Sequence, residues 1–215
     1  MNIIFMGPPA AGKGTYASLI KEEFGIPHIS TGDLFRAIAL QDSPLAKEVK
    51  SYIDNGLLVP DRLTIELVID RLGKADCNKG FILDGFPRTL NQATELDKIL
   101  KSLGKKIDIV IDLDVDFELI RKRITGRRSC SKCNKVYNIY TMPSKKGDIC
   151  EECGGSLYQR KDDNDESIKI RYQTFLDQTR EAVAYYKKQN ILVNIKGGDT
   201  LEKVYPLIKK AIKGE

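Results

Sequence analysis

The sequence predicts an α/β fold in which five parallel β-strands form one sheet with helices on both faces. Along the 215 residues, short apolar segments alternate with amphipathic helical patterns, which is typical of βα units. One segment, Ile107–Leu113, is apolar almost throughout, as expected of a strand that is buried on both faces. A glycine-rich loop follows the first strand. Since ligands of such sheets bind at the carboxyl ends of the strands, we expect the functional residues there.

The first strand candidate, Asn2–Met6, leads into the loop Gly7–Thr15 and then into a helix that carries Leu19, Ile20 and Phe24. The loop has the pattern Gly-x-x-x-x-Gly-Lys, whose backbone N–H groups can surround a phosphate at the positive end of the helix. Lys13 would reach the β- and γ-phosphates, and the Thr15 hydroxyl would face Mg²⁺ or phosphate. A structural glycine-rich turn is the alternative. The position after an N-terminal strand favours a nucleoside-triphosphate site formed by Ala10, Ala11, Gly12, Lys13, Gly14 and Thr15.

The next elements carry recognisable start signals. Ile26–Ile29 is a short strand candidate, and Ser30–Asp33 resembles a capping box before a helix at Leu34–Ile38. Ser43 and Pro44 begin another helix, which Gly56 follows. Asp61 can cap a third helix. The apolar faces of these last two helices comprise Leu45, Val49 and Ile53, and then Leu63, Leu67, Val68 and Leu72.

The second half of the chain continues the alternation. The predicted strands are Gly80–Asp84, Ile107–Leu113 and Ile191–Ile195, and the predicted helices are Leu90–Leu103, Phe117–Thr125, Asn164–Lys188 and Leu201–Ile212. Asp84 ends a buried strand, where a carboxylate could hold Mg²⁺ through water. It could instead cap the following segment. Asp33 could share that water shell or cap its own helix. His28, the only histidine, is expected to pack at a strand end.

Four cysteines interrupt the alternation. Cys130-x-x-Cys133 and Cys150-x-x-Cys153 have the spacing of a zinc ribbon. Four thiolates would close a tetrahedral site and leave no position for water, so the metal would be structural. Redox-active disulfides and unrelated thiols are the alternatives. The N-terminus has neither a basic leader nor a long apolar run, so we expect a cytoplasmic protein in which stable disulfides are rare.

The composition is that of an ordinary globular enzyme. Hydrophobic residues make up 41% of the chain and the net charge is +5, which suits polyanionic small substrates without requiring nucleic acid. No apolar run approaches the ~18 residues of a membrane span. The sequence therefore predicts neither a nucleic-acid partner nor a membrane partner.

Five motifs together resemble the bacterial adenylate kinases, in the long form with a zinc-bearing lid. They are Gly7–Thr15, Ser30–Asp33, Asp84–Arg88, Gly126–Arg128 and Arg160–Asn164, in this order, and the resemblance covers essentially the whole chain. One position departs from the family pattern, because Ala10 stands where the loop usually has its second glycine.

The resemblance implies a P-loop NTPase-type core (residues 1–29, 60–126 and 164–215), an inserted helical flap for the nucleoside monophosphate (30–59) and a zinc-ribbon lid (127–163). The lid is shorter than the ~40 residues that can bury a core without metal or disulfides. The implied reaction is ATP + AMP = 2 ADP, which serves adenine nucleotide homeostasis. The implied cofactors are Mg²⁺ with ATP and one structural Zn²⁺, and the expected state is a monomer.

The resemblance also assigns roles to single residues. It implies AMP contacts from Thr31, Arg36, Leu57, Leu58, Val59, Gly85, Phe86, Pro87, Arg88, Gln92, Arg160 and Arg171. It adds ATP contacts from Arg123, Arg127, Val136, Tyr137 and Asp199. The catalytic set would be Lys13, Asp84, Arg88, Arg127, Arg160 and Arg171. An arginine outside such motifs would be read as part of a solvated helix face.

Two other functional classes compete at this stage. A switch-type or motor NTPase would need a water-positioning residue and a partner surface, and it would leave the arginine-rich second site unexplained. A zinc-ribbon nucleic-acid binder would use Tyr137, Tyr140 and Tyr158 as stacking platforms. ADP formation that requires AMP would select the kinase, AMP-independent hydrolysis the NTPase, and salt-sensitive oligonucleotide binding the third class.

Overall fold

The chain alternates strands and helices as predicted. The computed structural model describes residues 1–215. In chain order the elements are β1 (Asn2–Met6), α1 (Lys13–Phe24), β2 (His28–Ser30), α2 (Thr31–Ala39), α3 (Pro44–Asp54), α4 (Asp61–Leu72), β3 (Phe81–Asp84), α5 (Leu90–Ser102), β4 (Ile109–Asp114), α6 (Phe117–Thr125), β5 (Arg127–Cys130), β6 (Val136–Asn138), β7 (Leu157–Tyr158), α7 (Asp165–Thr174), α8 (Arg180–Lys188), β8 (Leu192–Lys196) and α9 (Leu201–Lys213).

A five-stranded sheet in the order β2-β3-β1-β4-β8 forms the centre of the fold. Every neighbouring pair is parallel, which confirms the predicted fold class. Alternate side chains of β1 enter opposite cores: Ile3 and Phe5 pack with α1, α6 and α9, whereas Ile4 and Met6 pack with α4, α5 and α8. The sheet is therefore buried on both faces, and its carboxyl edge is the place left for a ligand.

The chain makes a tight turn where β1 ends. Gly7 has φ +123°, and a Cβ atom there would lie 2.5 Å from the Leu113 carbonyl oxygen. Only glycine fits such a close backbone approach with a positive φ. The loop after β1 is thus held directly against the end of β4.

The region between β2 and α4 has its own small apolar cluster of Phe35, Val49 and Val59. The predicted cap at Ser30 is confirmed, since Ser30 Oγ accepts from Asp33 N at 3.3 Å. The helix predicted to begin at Ser43 and Pro44 is also present, and Ser43 Oγ caps it by accepting from Ala46 N at 3.1 Å.

The capping role predicted for Asp61 is wrong. Pro60 occupies the N-cap position of α4, and no side chain caps the helix. Asp61 is the first helical residue, and its carboxylate bonds to residues at the start of α5 instead. The tertiary contact between α4 and α5 therefore replaces the local one.

The predicted helix Asn164–Lys188 contains an irregularity. It runs from Asp165 to Lys188, but a π-helical turn, Phe175–Thr179, separates α7 from α8. None of the helices combines the length and the apolar character needed to cross a bilayer.

The four cysteines lie on a separate three-stranded antiparallel sheet in the order β6-β5-β7. Its buried centre consists only of Cys130, Tyr137 and Cys150, with Leu157 packed against them. So small an apolar cluster stabilises little by itself, since burial is worth about 1.5–3 kcal/mol for a whole large side chain.

Candidate active site

The loop Gly7–Thr15, called here the phosphate loop, presents an open helix N-terminus. Gly12 precedes α1 with φ 99°, and no side chain caps the helix. The first N–H groups of an α-helix have no partner within the helix, and they carry its positive end. The loop and α1 therefore have the open N–H groups that the predicted anion site requires.

Lys13 lies across this loop. Its Nζ donates to the carbonyl oxygens of Gly7 at 2.9 Å and Pro8 at 2.7 Å. Burial lowers the pKa of Lys13 to about 8; nearby Asp84 opposes the shift, while Arg88 and Arg171 add to it. A phosphate at the loop would restore the charge that burial disfavours.

Ala10 adopts the left-handed conformation that a glycine would take without strain, with φ 57°. The departure from the family pattern thus falls at a position that disfavours a Cβ atom, typically by about 1–2 kcal/mol. Arg123 lies beside it and donates from Nη1 to the carbonyl oxygens of Ala10 at 3.4 Å and Ala11 at 3.3 Å. The guanidinium of Arg123 therefore supports the loop from the α6 side.

Asp84 ends β3 next to the phosphate loop. A Cβ atom on Gly14 would lie 3.3 Å from Asp84 Oδ2, so the glycine allows the close approach. Burial would raise the pKa of the Asp84 carboxyl, but the hydrogen-bonded His28 and the charges of Lys13 and Arg88 outweigh it and hold the pKa below its usual range. The carboxylate is thus ionised and able to face a cation.

His28 is the partner that sequence reasoning missed. Its Nε2 lies 3.2 Å from Asp84 Oδ2, because β2 pairs in parallel with β3 and Ser30 lies opposite Asp84. His28 does lie at a strand end as expected, but the contact that it makes there, with the Asp84 carboxylate, is polar. The capping alternative for Asp84 is wrong, since Thr89 caps α5 by accepting from Gln92 N at 3.1 Å.

A pocket lies between α2, the α3–α4 connection and the end of β3. We call it the Thr31–Gln92 pocket. Its lining consists of Thr31, Gly32, Phe35, Arg36, Ile53, Gly56, Leu57, Leu58, Val59, Thr64, Gly85, Arg88, Gln92, Asp162 and Arg171. It thus brings together most of the residues for which the family resemblance implies AMP contacts.

Three of those residues lie elsewhere. Phe86 is buried among the apolar side chains that cover the α5 face of the sheet. Pro87 and Arg160 are outside the pocket lining, and Arg160 donates from Nε to Ser129 Oγ at 3.0 Å. Contacts from these three to a nucleotide stay predictions.

Five guanidinium groups lie near one another, and we call Arg36, Arg88, Arg127, Arg160 and Arg171 the arginine cluster. Three of them, Arg36, Arg88 and Arg171, line this pocket, and Arg88 and Arg171 also act on Lys13 of the phosphate loop. Burial, together with repulsion from Arg127 and Arg36, lowers the pKa of Arg160 to about 10. Burial likewise brings the pKa of Arg171 to about 10, with Arg127 adding to the effect. Like charges held this closely need anions between them.

Acidic residues hold part of the cluster. Arg127 donates to the buried Asp163 carboxylate through two nitrogens, with Nε at 2.9 Å from Oδ2. Arg171 Nη1 donates to Asp162 Oδ2 at 2.8 Å. Arg36 Nη2 donates to Asp33 Oδ1 at 2.5 Å, so Asp33 is an ion-pair partner in α2. Asp162 and Asp163, which are consecutive, therefore connect the segment between β7 and α7 to Arg127 of β5 and Arg171 of α7.

The cysteine cluster, Cys130, Cys133, Cys150 and Cys153, has the geometry of a metal site. All four sulfur atoms lie within 4.8 Å of one another and none is in a disulfide. Zinc about 2.3 Å from each thiolate needs sulfur atoms about 3.8 Å apart. The pairs Cys130–Cys153 and Cys133–Cys150 are at 3.4 and 3.6 Å, which fits zinc closely.

Tyr137 supports the cysteine cluster. Its ring is buried, its hydroxyl lies 3.4 Å from Cys150 Sγ, and that hydrogen bond brings the pKa of Cys150 down to about 6. Any contact of Tyr137 with ATP would therefore come from its backbone. Val136 is exposed beside it. Asp199 accepts from Thr200 N at 2.8 Å and from Lys203 at 3.1 Å at the start of α9. The ATP roles of these residues stay predictions.

Comparison with known proteins identifies related sequences over the full length. The sequence profile of the family described as adenylate kinase matches residues 5–191. The chain is 50% identical to an adenylate kinase of Bacillus licheniformis over 214 residues, which span 100% of this chain and 99% of the relative. It is 48% identical to those of Fervidobacterium nodosum and Bacillus subtilis, over 100% of this chain and 98% and 99% of the relatives.

Proposed function

The chain belongs to the adenylate kinase family, and we propose that its adjacent anion sites carry out that family's reaction. This is the reversible transfer of the terminal phosphoryl group of ATP to AMP, which yields two ADP. The observation that carries the proposal is the arginine cluster, in which Arg88 and Arg171 line the Thr31–Gln92 pocket and also act on Lys13 of the phosphate loop. Two polyanions are the ligands that such a concentration of positive charge fits.

ATP occupies the phosphate loop in this proposal. Its phosphates take the free N–H groups at the start of α1, and Lys13 turns from the loop carbonyls to the β- and γ-phosphates. Arg123 and the backbone around Val136 and Tyr137 border the donor nucleotide. A switch-type NTPase would use the same loop, but it would leave the second pocket without a role.

AMP occupies the Thr31–Gln92 pocket. Arg36 and Arg88 line it and bind the phosphate, while Thr31 and Gln92 face the base. Arg127, Arg160 and Arg171 stabilise the phosphoryl group in transit. The acceptor is already a phosphate oxygen, so the site needs no general base, and catalysis consists of positioning and neutralising charge.

Mg²⁺ enters with ATP and would supply further charge neutralisation between its β- and γ-phosphates. Asp84 is the residue that would hold it, because its pKa is lowered and it lies beside Gly14 of the phosphate loop. Mg²⁺ dehydrates reluctantly, so water would bridge the carboxylate and the ion.

The cysteine cluster would hold one structural Zn²⁺. The sulfur distances support this assignment, and four thiolates leave no open position for a reacting water. We propose that residues 127–163 form a lid, that residues 30–59 form the flap over AMP and that the remainder is the core. The lid sheet would depend on the metal for its stability.

We further propose that the protein is a cytoplasmic monomer that acts on free nucleotides and binds neither nucleic acid nor membranes. None of the five cysteines is in a disulfide, which supports a reducing compartment. Sedimentation at several protein concentrations tests the monomer. A dimer whose activity falls on dilution would contradict it.

Acceptor choice tests the proposed function. Initial rates of ADP formation with ATP are compared for AMP, UMP, CMP and GMP. AMP should be far better than the others, because a pocket that hydrogen-bonds one base leaves polar groups unpaired with the wrong one. Equal rates with UMP, or ATP hydrolysis as fast without AMP as with it, would contradict the proposal.

A further inference from the structure

Asp61 connects α4 to the start of α5 through three hydrogen bonds. Its Oδ1 accepts from Gln92 Nε2 at 2.7 Å, and its Oδ2 accepts from Thr89 Oγ1 at 2.9 Å and Asn91 Nδ2 at 2.8 Å. On the other side of the same amide, Gln92 Oε1 accepts from the Arg88 backbone N–H at 2.8 Å. Gln92 itself is buried and lines the Thr31–Gln92 pocket.

These two neighbours fix the orientation of the Gln92 amide. An ionised carboxylate only accepts hydrogen bonds, and a backbone N–H only donates them. If the amide turned over, its oxygen would face Asp61 and its NH₂ group would face Arg88 N–H. An acceptor would then face an acceptor and a donor would face a donor in a part-buried place, where unpaired polar groups are costly.

The fixed amide leaves a directional pattern for the ligand. A glutamine amide has two acceptor lone pairs and two N–H donors, and Arg88 and Asp61 each use one. One acceptor and one donor remain. This pair matches a 6-aminopurine, whose amino group donates and whose N1 accepts. A 6-oxopurine presents the reverse, because O6 accepts and N1–H donates.

We propose that Asp61 determines the base specificity of the monophosphate site by holding Gln92 in the orientation that reads a 6-aminopurine. The proposal rests on the proposed function, in which this pocket holds the acceptor base. Asp61 does not line the pocket, so it is a positioning residue that acts through Gln92. Without it, only the Arg88 N–H opposes the turned amide, so Gln92 can turn over and accept a 6-oxopurine at a lower cost.

Inosine monophosphate is the sharpest probe, since it differs from AMP only in this donor and acceptor pattern at C6 and N1. The change is Asp61→Asn, which keeps the shape of the side chain but can donate as well as accept. The ratio of kcat/KM for AMP to that for inosine monophosphate should fall by about tenfold or more, because the wrong base no longer leaves two buried groups unpaired. Asp61→Ala removes the acceptor and should shift the ratio in the same direction.

Asn91→Ala is the matched control. It removes another hydrogen bond of Asp61 but does not touch Gln92, so the ratio should stay at the wild-type value. Calorimetric affinities of AMP and inosine monophosphate without ATP, and melting curves, accompany the kinetics. If folded Asp61 variants keep the wild-type ratio, or lose both substrates in proportion, Asp61 has only a structural role and the inference is wrong.

The wild-type protein separates this inference from the proposed function. If wild-type protein phosphorylates AMP no better than the other monophosphates, the proposed function itself is wrong. If wild-type protein prefers AMP and the variants keep that preference, only the role of Asp61 is wrong.

Discussion

Lys13 is a part-buried charged side chain whose hydrogen bonds to the phosphate loop would be replaced when nucleotide binds. Its Nζ is held by two carbonyl oxygens of the phosphate loop, and in the proposed function the bound phosphates take their place. Once Lys13 has turned to the bound phosphates, it is a fixed donor that stabilises charge as it develops, and so it acts more on the transition state than on the ground state.

Lys13→Ala should therefore lower kcat by roughly 10²–10³, the effect of losing one preorganised electrostatic donor. Stability should change little, because the loss of two hydrogen bonds is offset by the loss of a charge that its surroundings disfavour. Steady-state kinetics and melting curves measure both effects. A variant with near-wild-type kcat would show that Lys13 does not face the transferred group.

The pKa of Lys13 predicts the pH dependence of ATP capture. Burial lowers it from 10.5 to about 8 in the free protein, so Lys13 is charged below pH 8 and loses its charge as the pH rises through that value. kcat/KM for ATP reports the free enzyme and should fall above about pH 8, whereas bound phosphate keeps Lys13 charged and kcat should hold to higher pH. Lys13→Ala should show no such fall.

The same pKa shift affects stability. Between pH 8 and 10.5 the unfolded chain binds more protons at Lys13 than the folded chain does, so the contribution of Lys13 to the free energy of unfolding rises with pH.

Ala10 is a position at which a substitution should stabilise the protein. Its φ of 57° strains an alanine, and glycine removes that strain of about 1–2 kcal/mol at an entropic cost of about 0.5–1 kcal/mol. Ala10→Gly should raise the free energy of unfolding by up to about 1.5 kcal/mol. The buried Ala11 has no positive φ, so Ala11→Gly is the control and should destabilise. Denaturant unfolding measures both, and a loss of stability in Ala10→Gly would contradict this account.

At the scale of elements, local patterns predicted most of the fold. The sheet could be predicted because the apolar pattern of each strand and helix is contained within that element. The phosphate loop and the cysteine pairs could be predicted from short motifs. The errors arise where a partner is distant in sequence. Asp61 has the sequence position of a cap, but it bonds to Gln92, 31 positions away, because α4 packs against α5. His28 meets Asp84 across 56 positions through the pairing of β2 with β3.

The lid sheet is the element that should depend on metal. Its buried centre is only three residues with Leu157 against them, so removal of zinc should lower the melting temperature and raise protease cleavage between Val136 and Tyr158. The core has its own sheet, and so the phosphate loop should still bind nucleotide. Chelation followed by calorimetry and limited proteolysis measures this.

Cys153→Ala should act like chelation. Cys77→Ala is the matched control, because Cys77 is buried elsewhere, beside Arg71, and the variant should retain one zinc per chain. Absence of zinc from protein purified under reducing conditions would contradict the assignment. A melting curve that does not change after complete zinc removal would contradict the stabilising role.

At the scale of the whole molecule, Arg171 connects three parts of the chain. It lies on α7, its Nη1 donates to Asp162 beyond the lid strands at 2.8 Å, and its Cγ would lie 3.2 Å from a Cβ on Gly56 after α3. It also lines the Thr31–Gln92 pocket and lies close enough to Lys13 to lower its pKa. A single guanidinium therefore faces both proposed nucleotide sites.

Arg171→Ala should lower kcat for transfer by roughly 10²–10³, because one fixed positive group between the two phosphates is lost. It should also raise ATP hydrolysis relative to transfer, since residues 30–59 and the segment after β7 lose a shared contact and water enters more easily. Arg171→Lys keeps the charge but has one nitrogen in place of three, and its values should lie between those of the wild type and Arg171→Ala. Lys169→Ala removes an exposed charge from the same helix and should change neither the rate of transfer nor the rate of hydrolysis.

Parallel assays of ADP formation with AMP and of phosphate release without AMP give the ratio of hydrolysis to transfer. If Arg171→Ala lowers transfer and hydrolysis equally, Arg171 stabilises the phosphoryl group but does not hold the parts of the molecule together.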